Sequence, residues 1–205
     1  SDEVGLGKTI EACLILHRLA LTGRSSRILI IVPESLVHQW FVELYRRFNM
    51  WFTIMDADRC AAAAVQNASG NPFLEEQLVL CSIDTLKADA CWERAVTSVD
   101  WDLCIVDEAH HYQWTPYSVS PEYRLIEAVS EKSAGLVLLT ATPEQMGIEG
   151  HFARLRLLDK NRYPDLEAFI EEHNQYGIVA KIADSVFLKQ SLSAREKALL
   201  KKILI

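Results

Sequence analysis

Two stretches of this 205-residue chain carry side chains whose types and spacing suit phosphate chemistry. The first is "VGLGKT", residues 4 to 9. In a loop of this kind the successive backbone N–H groups from Gly5 to Thr9 point inward and cradle an anion, and Gly5 and Gly7 allow the close approach and unusual backbone angles required. Val4 and Leu6 complete the expected phosphate-binding set. A helix opening near Lys8 adds its N-terminal dipole. Lys8 would then neutralise the β- and γ-phosphates of a nucleotide, and the Thr9 hydroxyl would bind Mg²⁺. The full pattern G-x-x-x-x-G-K-[ST] asks for glycine at position 2, where Asp2 stands. Taken alone, the stretch reads equally well as a flexible turn.

The second stretch, "LCIVDEAHH", is an apolar run that ends in two carboxylates. A carboxylate at the C-terminal end of a parallel strand lies in the crevice where open α/β sheets bind ligands. There Asp107 would hold the metal, directly or through water, and Glu108 would orient and deprotonate the attacking water. Lys8 and Glu108 are therefore the expected catalytic residues. The alternative, a solvated acidic turn after a core strand, leaves the phosphate loop in the same chain unexplained. A third stretch, "VLLTATPE", places Thr140 and Thr142 where hydroxyls could hydrogen-bond the Asp107 to His110 loop and sense γ-phosphate. Threonines also simply suit strand ends, and spacing alone favours that plainer reading.

The elements that must position these residues are legible as apolar runs. Residues 27–32, 52–56, 77–82, 102–109 and 135–142 read as buried strands, most of them rich in Val, Ile and Leu without strict alternation, as strands covered on both faces are. "KTIEACLILHRLAL" and "ESLVHQWFVELYRRF" between them repeat apolar residues at helical spacing. Alternation of strand and helix predicts right-handed crossovers and a mostly parallel sheet flanked by helices, a three-layer α/β fold. After residue 159 the strand pattern stops. "YPDLEAFIEEHNQY", with Pro164 suited to a first helical turn, and "SLSAREKALLKKILI", with a Ser193-x-x-Glu196 capping box, predict a helical tail over 160–205. "QWTPYSVSPEY", with Pro116 and Pro121, reads as the clearest flexible loop.

Composition narrows the classes. About half the residues are apolar and a quarter charged, as in a globular domain. No apolar run approaches the roughly 18 residues needed to cross a bilayer, and no signal-peptide layout opens the chain, so a cytoplasmic protein without a membrane partner is expected. Five cysteines without a C-x-x-C pair read as buried hydrophobes in a reducing compartment. Neighbouring residues seldom point at one metal, so His110 and His111 give no expectation of a zinc site. The net charge of -7 comes from residues 51–160, which hold 17 acidic and 8 basic groups. Composition gives a nucleic-acid partner no support.

Taken in order, "DEVGLGKTIEA", "LIIVPESLVHQW", "DEAHH" and "LLTATPE" resemble motifs I, Ia, II and III of the Swi/Snf branch of superfamily-two helicase-like ATPases. Longer stretches, "LIIVPESLVHQWFVELYRRFN" and "TATPEQMGIEGHFARLRLLDKNRYPD", are most similar to its bacterial, RNA-polymerase-associated members. The set is specific as an ordered series, though no single motif is. The resemblance implies a P-loop, RecA-like nucleotide-binding lobe over residues 1–159, and a helical segment over 160–205 leading toward a second RecA-like lobe beyond Ile205. It implies a first core strand and adenine contacts before Ser1. It implies an ATP- and Mg²⁺-dependent hydrolase stimulated by double-stranded DNA, acting with RNA polymerase in transcription. By motif, His110, Thr140, Ala141 and Thr142 would couple hydrolysis to DNA movement, against the plainer reading of the threonines. Pro33, Ser35, His38 and Ser82 would contact the DNA backbone.

Two other functions fit parts of the pattern. A P-loop phosphotransferase would share the phosphate loop, but a Glu directly after the strand-end Asp favours water activation. A nucleotide-gated docking module without turnover of its own would use the acidic surface to hold a protein partner.

Overall fold

Among the described residues, five strands, all parallel, form one sheet in the order β2-β3-β1-β4-β5. They are β1 (Ile28–Val32), β2 (Thr53–Ile54), β3 (Leu78–Ser82), β4 (Leu103–Val106) and β5 (Leu136–Leu138). The computed structural model describes residues 7–66, 70–140 and 147–174. The chain divides into two units, one reaching Arg162 and the other beginning at Tyr163. All five strands fall inside the apolar runs expected of them, each shorter than its run. The connections carry α1 (Lys8–Leu21), α2 (Val37–Phe48), α3 (Ala57–Gln66), α4 (Ile83–Ala88), α5 (Ala90–Thr97), α6 (Pro121–Glu131) and α7 (Gly147–Leu158).

Period-two alternation along strands buried on both sides explains the three layers. Ile28, Ile30 and Val32 of β1, with Leu80, Leu103 and Ile105, face α1 and α2 through Cys13, Leu16, Trp40 and Leu44. Leu29 and Ile31, with Val79, Cys81, Cys104 and Val106, pack on the other side against Leu86, Val96, Ile126, Val129 and Ala153. Four cysteines, Cys13, Cys60, Cys81 and Cys104, are buried and unpaired, and burial pushes the Cys13 thiol up to about 12 and Cys60 up to about 11. They pack as small hydrophobes, and Cys91 alone of the five is exposed.

The end of the sheet away from the carboxylates is fixed by a polar clamp. Asp102 Oδ2 accepts the backbone N–H groups of Ser26 at 2.7 Å and Arg27 at 2.8 Å, which joins the starts of β1 and β4. The Arg27 guanidinium donates to the carbonyls of Phe73, Leu74 and Glu76 at 3.1 to 3.2 Å, which brings in the approach to β3. With the starts of three central strands tied, Val32, Ser82 and Val106 finish together at the opposite edge.

Three local expectations differ from the structure. Only part of "QWTPYSVSPEY" is loop: Trp114 and Val119 form an antiparallel bridge, and Pro121 is the first residue of α6, capped by the Ser120 hydroxyl accepting from Tyr123 N–H at 3.2 Å. Proline's fixed φ suits that first position. In the second unit, helix spans 166–174 and Pro164 precedes it, while Asp165 Oδ1 caps it through Ala168 N–H at 2.9 Å. The strand predicted to run to Ala109 stops at Val106, because Glu108 turns the chain. Ser193 and Glu196 lie outside the described residues. Among the described residues no helix is long and apolar enough to cross a membrane.

Candidate nucleotide site

Gly7 sits in the left-handed region, φ 88° and ψ 22°, and directly precedes the first turn of α1. Having no side chain, it leaves the helix without a side-chain cap. The positive end of the 14-residue helix therefore opens at Lys8 and Thr9, as the sequence predicts. Val4, Gly5 and Leu6 lie outside the described residues.

Asp107 follows β4 directly, and its backbone N–H donates to Ile31 carbonyl at 2.9 Å. Its side chain is buried, and Oδ2 accepts the indole N–H of Trp40 at 2.8 Å while Oδ1 accepts the Glu108 backbone N–H at 2.8 Å. A carboxylate offers about four acceptor positions, so each oxygen keeps one for a cation or water. Tyr112 O–H donates to the Asp107 carbonyl at 3.4 Å, and burial pushes this phenol well above its ordinary range.

Glu108 is itself left-handed, φ 51° and ψ 39°, one of two non-glycine residues with positive φ among those described. That conformation costs about 1–2 kcal/mol for a residue with a Cβ, and it turns the chain into a tight helical turn over Ala109–His111. The Ala109 N–H donates to Leu139 carbonyl at 2.8 Å and ties the turn to the end of β5. The turn sets the His110 and His111 rings side by side, tilted at 36° with centroids 4.1 Å apart, and brings His110 Nδ1 to 3.0 Å from Glu108 Oε2. Burial, then the neighbouring His111, hold the His110 imidazole below its usual range, against the opposing pull of Glu108. The adjacent histidines therefore do converge, contrary to the reading from spacing, and the left-handed Glu108 is the reason.

Both motifs line one cleft of about 310 Å³. Gly7, Lys8, Thr9 and Ile10 form one wall, Asp107 and Glu108 another, and Leu36, Gln39, Glu43 and Arg47 a third. The last three repeat every four residues on α2 and so share a stripe. They are cleft residues that motif reading missed, and Trp40, buried behind Asp107, was missed with them. The i, i+4 spacing was the available signal. Glu43 and Arg47 form an ion pair across the cleft wall.

The remaining predicted residues are placed less uniformly. Ser35 and His38 are exposed and Pro33 half-buried, all just past the C-terminal end of β1. Ser82 is buried at 2 % exposure, and its hydroxyl is committed to capping α4 through Thr85 N–H at 2.9 Å. It corrects the expectation of a DNA contact there, because a buried, bonded hydroxyl presents nothing to a backbone phosphate. Thr140 Oγ1 is buried and has no hydrogen bond, so among the described residues the link from β5 to the acidic loop runs through the Leu139 backbone and not through the Thr140 hydroxyl. Ala141 and Thr142 lie outside the described residues.

Residues 1–204 match the SNF2-related domain. The chain belongs to the SNF2-related domain family. Its sequence is 52 % identical over 197 residues to the RNA polymerase-associated protein RapA of Vibrio cholerae, and 52 % over 198 residues to that of Vibrio campbellii. Each match covers 96 % of this chain and 20 % of the relative, so the SNF2-related chain spans about a fifth of these relatives' length. Among solved structures it resembles the Sulfolobus solfataricus SWI2/SNF2 ATPase core in complex with dsDNA, with TM-score 0.66 and 19 % identity over 98 % of this chain and 38 % of that one. It also resembles the Pyrococcus furiosus Hef helicase domain, with TM-score 0.56 and 19 % identity over 74 % of this chain and 31 % of that one. At that identity the likeness shows the fold, a RecA-like parallel sheet with flanking helices.

Proposed function

We propose that this SNF2-related domain binds ATP with Mg²⁺ in the cleft and, in the full-length protein, hydrolyses it to drive movement on double-stranded DNA. The observation that carries the reading is the shared cleft: Lys8 and Thr9 at the start of α1 stand over the same space as Asp107 and Glu108 at the end of β4. In the ATP-bound state the first-turn N–H groups of α1 and the Lys8 ammonium neutralise the β- and γ-phosphates. The Thr9 hydroxyl and the open positions on Asp107 are hard oxygen donors of the kind Mg²⁺ takes. Mg²⁺, when bound, supplies charge neutralisation at the transferring phosphoryl group. Glu108, steadied by His110, accepts the proton of the attacking water.

The Vibrio relatives named as RNA polymerase-associated support a role beside that enzyme in transcription, in the bacterial cytoplasm. The Sulfolobus core in complex with dsDNA supports duplex DNA as the track. Exposed Ser35 and His38, with Pro33 beside them, are the DNA-backbone candidates that remain. Residues 1–159 act as the nucleotide lobe and 160–205 lead toward a second lobe, which supplies an arginine finger. Such a residue is worth on the order of 10³–10⁵ in rate, so residues 1–205 alone turn ATP over barely or not at all.

The test is nucleotide binding and ATP turnover in the full-length protein, with and without duplex DNA. Lys8→Ala loses nucleotide affinity, whereas Glu108→Gln still binds and loses turnover by about 10²–10⁴. DNA-stimulated turnover that survives Glu108→Gln would place the general base elsewhere.

A further inference from the structure

We infer that Glu108, His110 and His111 form a binding site for a borderline transition-metal ion, Zn²⁺ above all, and that its occupation arrests the domain by taking Glu108 out of use. The metal site stands on geometry alone. The arrest rests on the proposed role of Glu108 in hydrolysis.

One donor atom from each of the three residues lies within 4.8 Å of the other two. His110 Nδ1 and Glu108 Oε2 are 3.0 Å apart. Zn–N of about 2.0–2.1 Å and Zn–O of about 2.0–2.2 Å at tetrahedral angles put two ligand atoms roughly 3.3–3.5 Å apart, so this pair needs only a few tenths of an ångström of opening. Both atoms are buried, and neither makes a hydrogen bond of good geometry to any other group. They face each other. His111 is exposed and completes the set from the solvent side, which gives an ion a route in.

The backbone holds this arrangement in advance. The left-handed Glu108 and the Ala109–His111 turn, anchored by Ala109 N–H on Leu139 carbonyl, are what bring the two rings together. Three protein ligands and one open position is the pattern zinc takes where a fourth partner is water or substrate. Imidazole nitrogens select Zn²⁺, Co²⁺ or Ni²⁺ over Mg²⁺, which prefers oxygen donors. Adjacent residues of one loop thus serve two cations: Asp107 faces the hard one and Glu108 the borderline one. With Zn²⁺ on Oε2, Glu108 accepts no proton from water.

Equilibrium dialysis against Zn²⁺ and the visible absorption of added Co²⁺ test this in the full-length protein, with circular dichroism confirming that each variant folds. Wild type should hold one Zn²⁺ per chain more than His111→Ala, and the Co²⁺ spectrum should change in both His111→Ala and Glu108→Gln. If His111→Ala misfolds, His111→Gln takes its place. Micromolar Zn²⁺ should inhibit ATP turnover of wild type and inhibit His111→Ala at least tenfold less effectively, while basal turnover of the two is equal. Equal zinc stoichiometry in wild type and the His111 variants, or no zinc bound by wild type, overturns the site. A zinc difference in a protein without ATP turnover would sustain the site and reject the hydrolase reading.

Discussion

The indole N–H of Trp40 donates to Asp107 Oδ2 at 2.8 Å, joining α2 to the strand-end carboxylate at a point where Trp40 is 1 % and Asp107 8 % exposed. A buried carboxylate oxygen that loses its donor costs about 1–3 kcal/mol, so Trp40→Phe keeps most of the ring's packing and exposes that penalty. The expected outcome is a loss of about 2 kcal/mol in urea unfolding, and a coupling energy of similar size when the change is combined with Asp107→Ala in a double-mutant cycle. Additivity of the two changes would show that the hydrogen bond holds nothing in place.

Glu43 and Arg47 pair on the α2 wall of the cleft, with Arg47 61 % exposed. An exposed pair contributes little to stability, about 0–1 kcal/mol, but its components act on what enters the cleft. Arg47→Ala leaves Glu43, Asp107 and Glu108 facing the phosphates against Lys8 alone. Nucleotide affinity should fall about two- to fivefold, an energy within that of a single exposed pair, while Glu43→Gln should raise it. Both effects should shrink at high salt, since surface charge interactions are screened. Fluorescent-nucleotide titrations at low and high ionic strength measure this, and the opposite sign for either variant would remove Arg47 from the site.

The sheet was readable because most strands lie in runs dominated by Val, Ile and Leu, and strands buried on both faces leave that mark whatever their neighbours. Strand order was not. Nothing local in 52–56 or 77–82 reveals that β3 separates β2 from β1. The catalytic candidates were readable because phosphate loops and strand-end carboxylates are short, contiguous devices. Trp40 was not, because its partner stands 67 residues away. The convergence of His110 and His111 depends on a left-handed Glu108, a conformation that residue type argues against. The first helical position of Pro121 was legible in "SPEY" but hidden by reading two prolines as one loop.

Asp102 supplies a pH dependence with a definite sign. The backbone N–H of Arg27, then that of Ser26, hold its carboxyl below the usual aspartate value. A folded-state pKa lower than the unfolded one, about 3.9 for aspartate, means stability that is present above that value and lost as pH falls through the lower, folded value. Wild type should therefore exceed Asp102→Asn in thermal midpoint at neutral pH, and the gap should close below about pH 4. A gap that persists undiminished in acid would assign the clamp to shape and not to charge.

Gly7 separates conformation from crowding at the mouth of the cleft. A Cβ added there would meet nothing within 4 Å, yet the residue holds φ +88°. The cost of Gly7→Ala is then purely that of the left-handed backbone, about 1–2 kcal/mol, and should be felt as weaker nucleotide binding more than as lost stability, because the first turn of α1 can relax by rotating its N–H groups off the phosphates. Asparagine visits the left-handed region more readily. Gly7→Asn should keep several-fold more nucleotide affinity than Gly7→Ala, measured by titration calorimetry on the full-length protein. Equal losses for the two would mean that the phosphates approach closely enough to exclude any side chain, and that the bound loop is tighter than the one seen here.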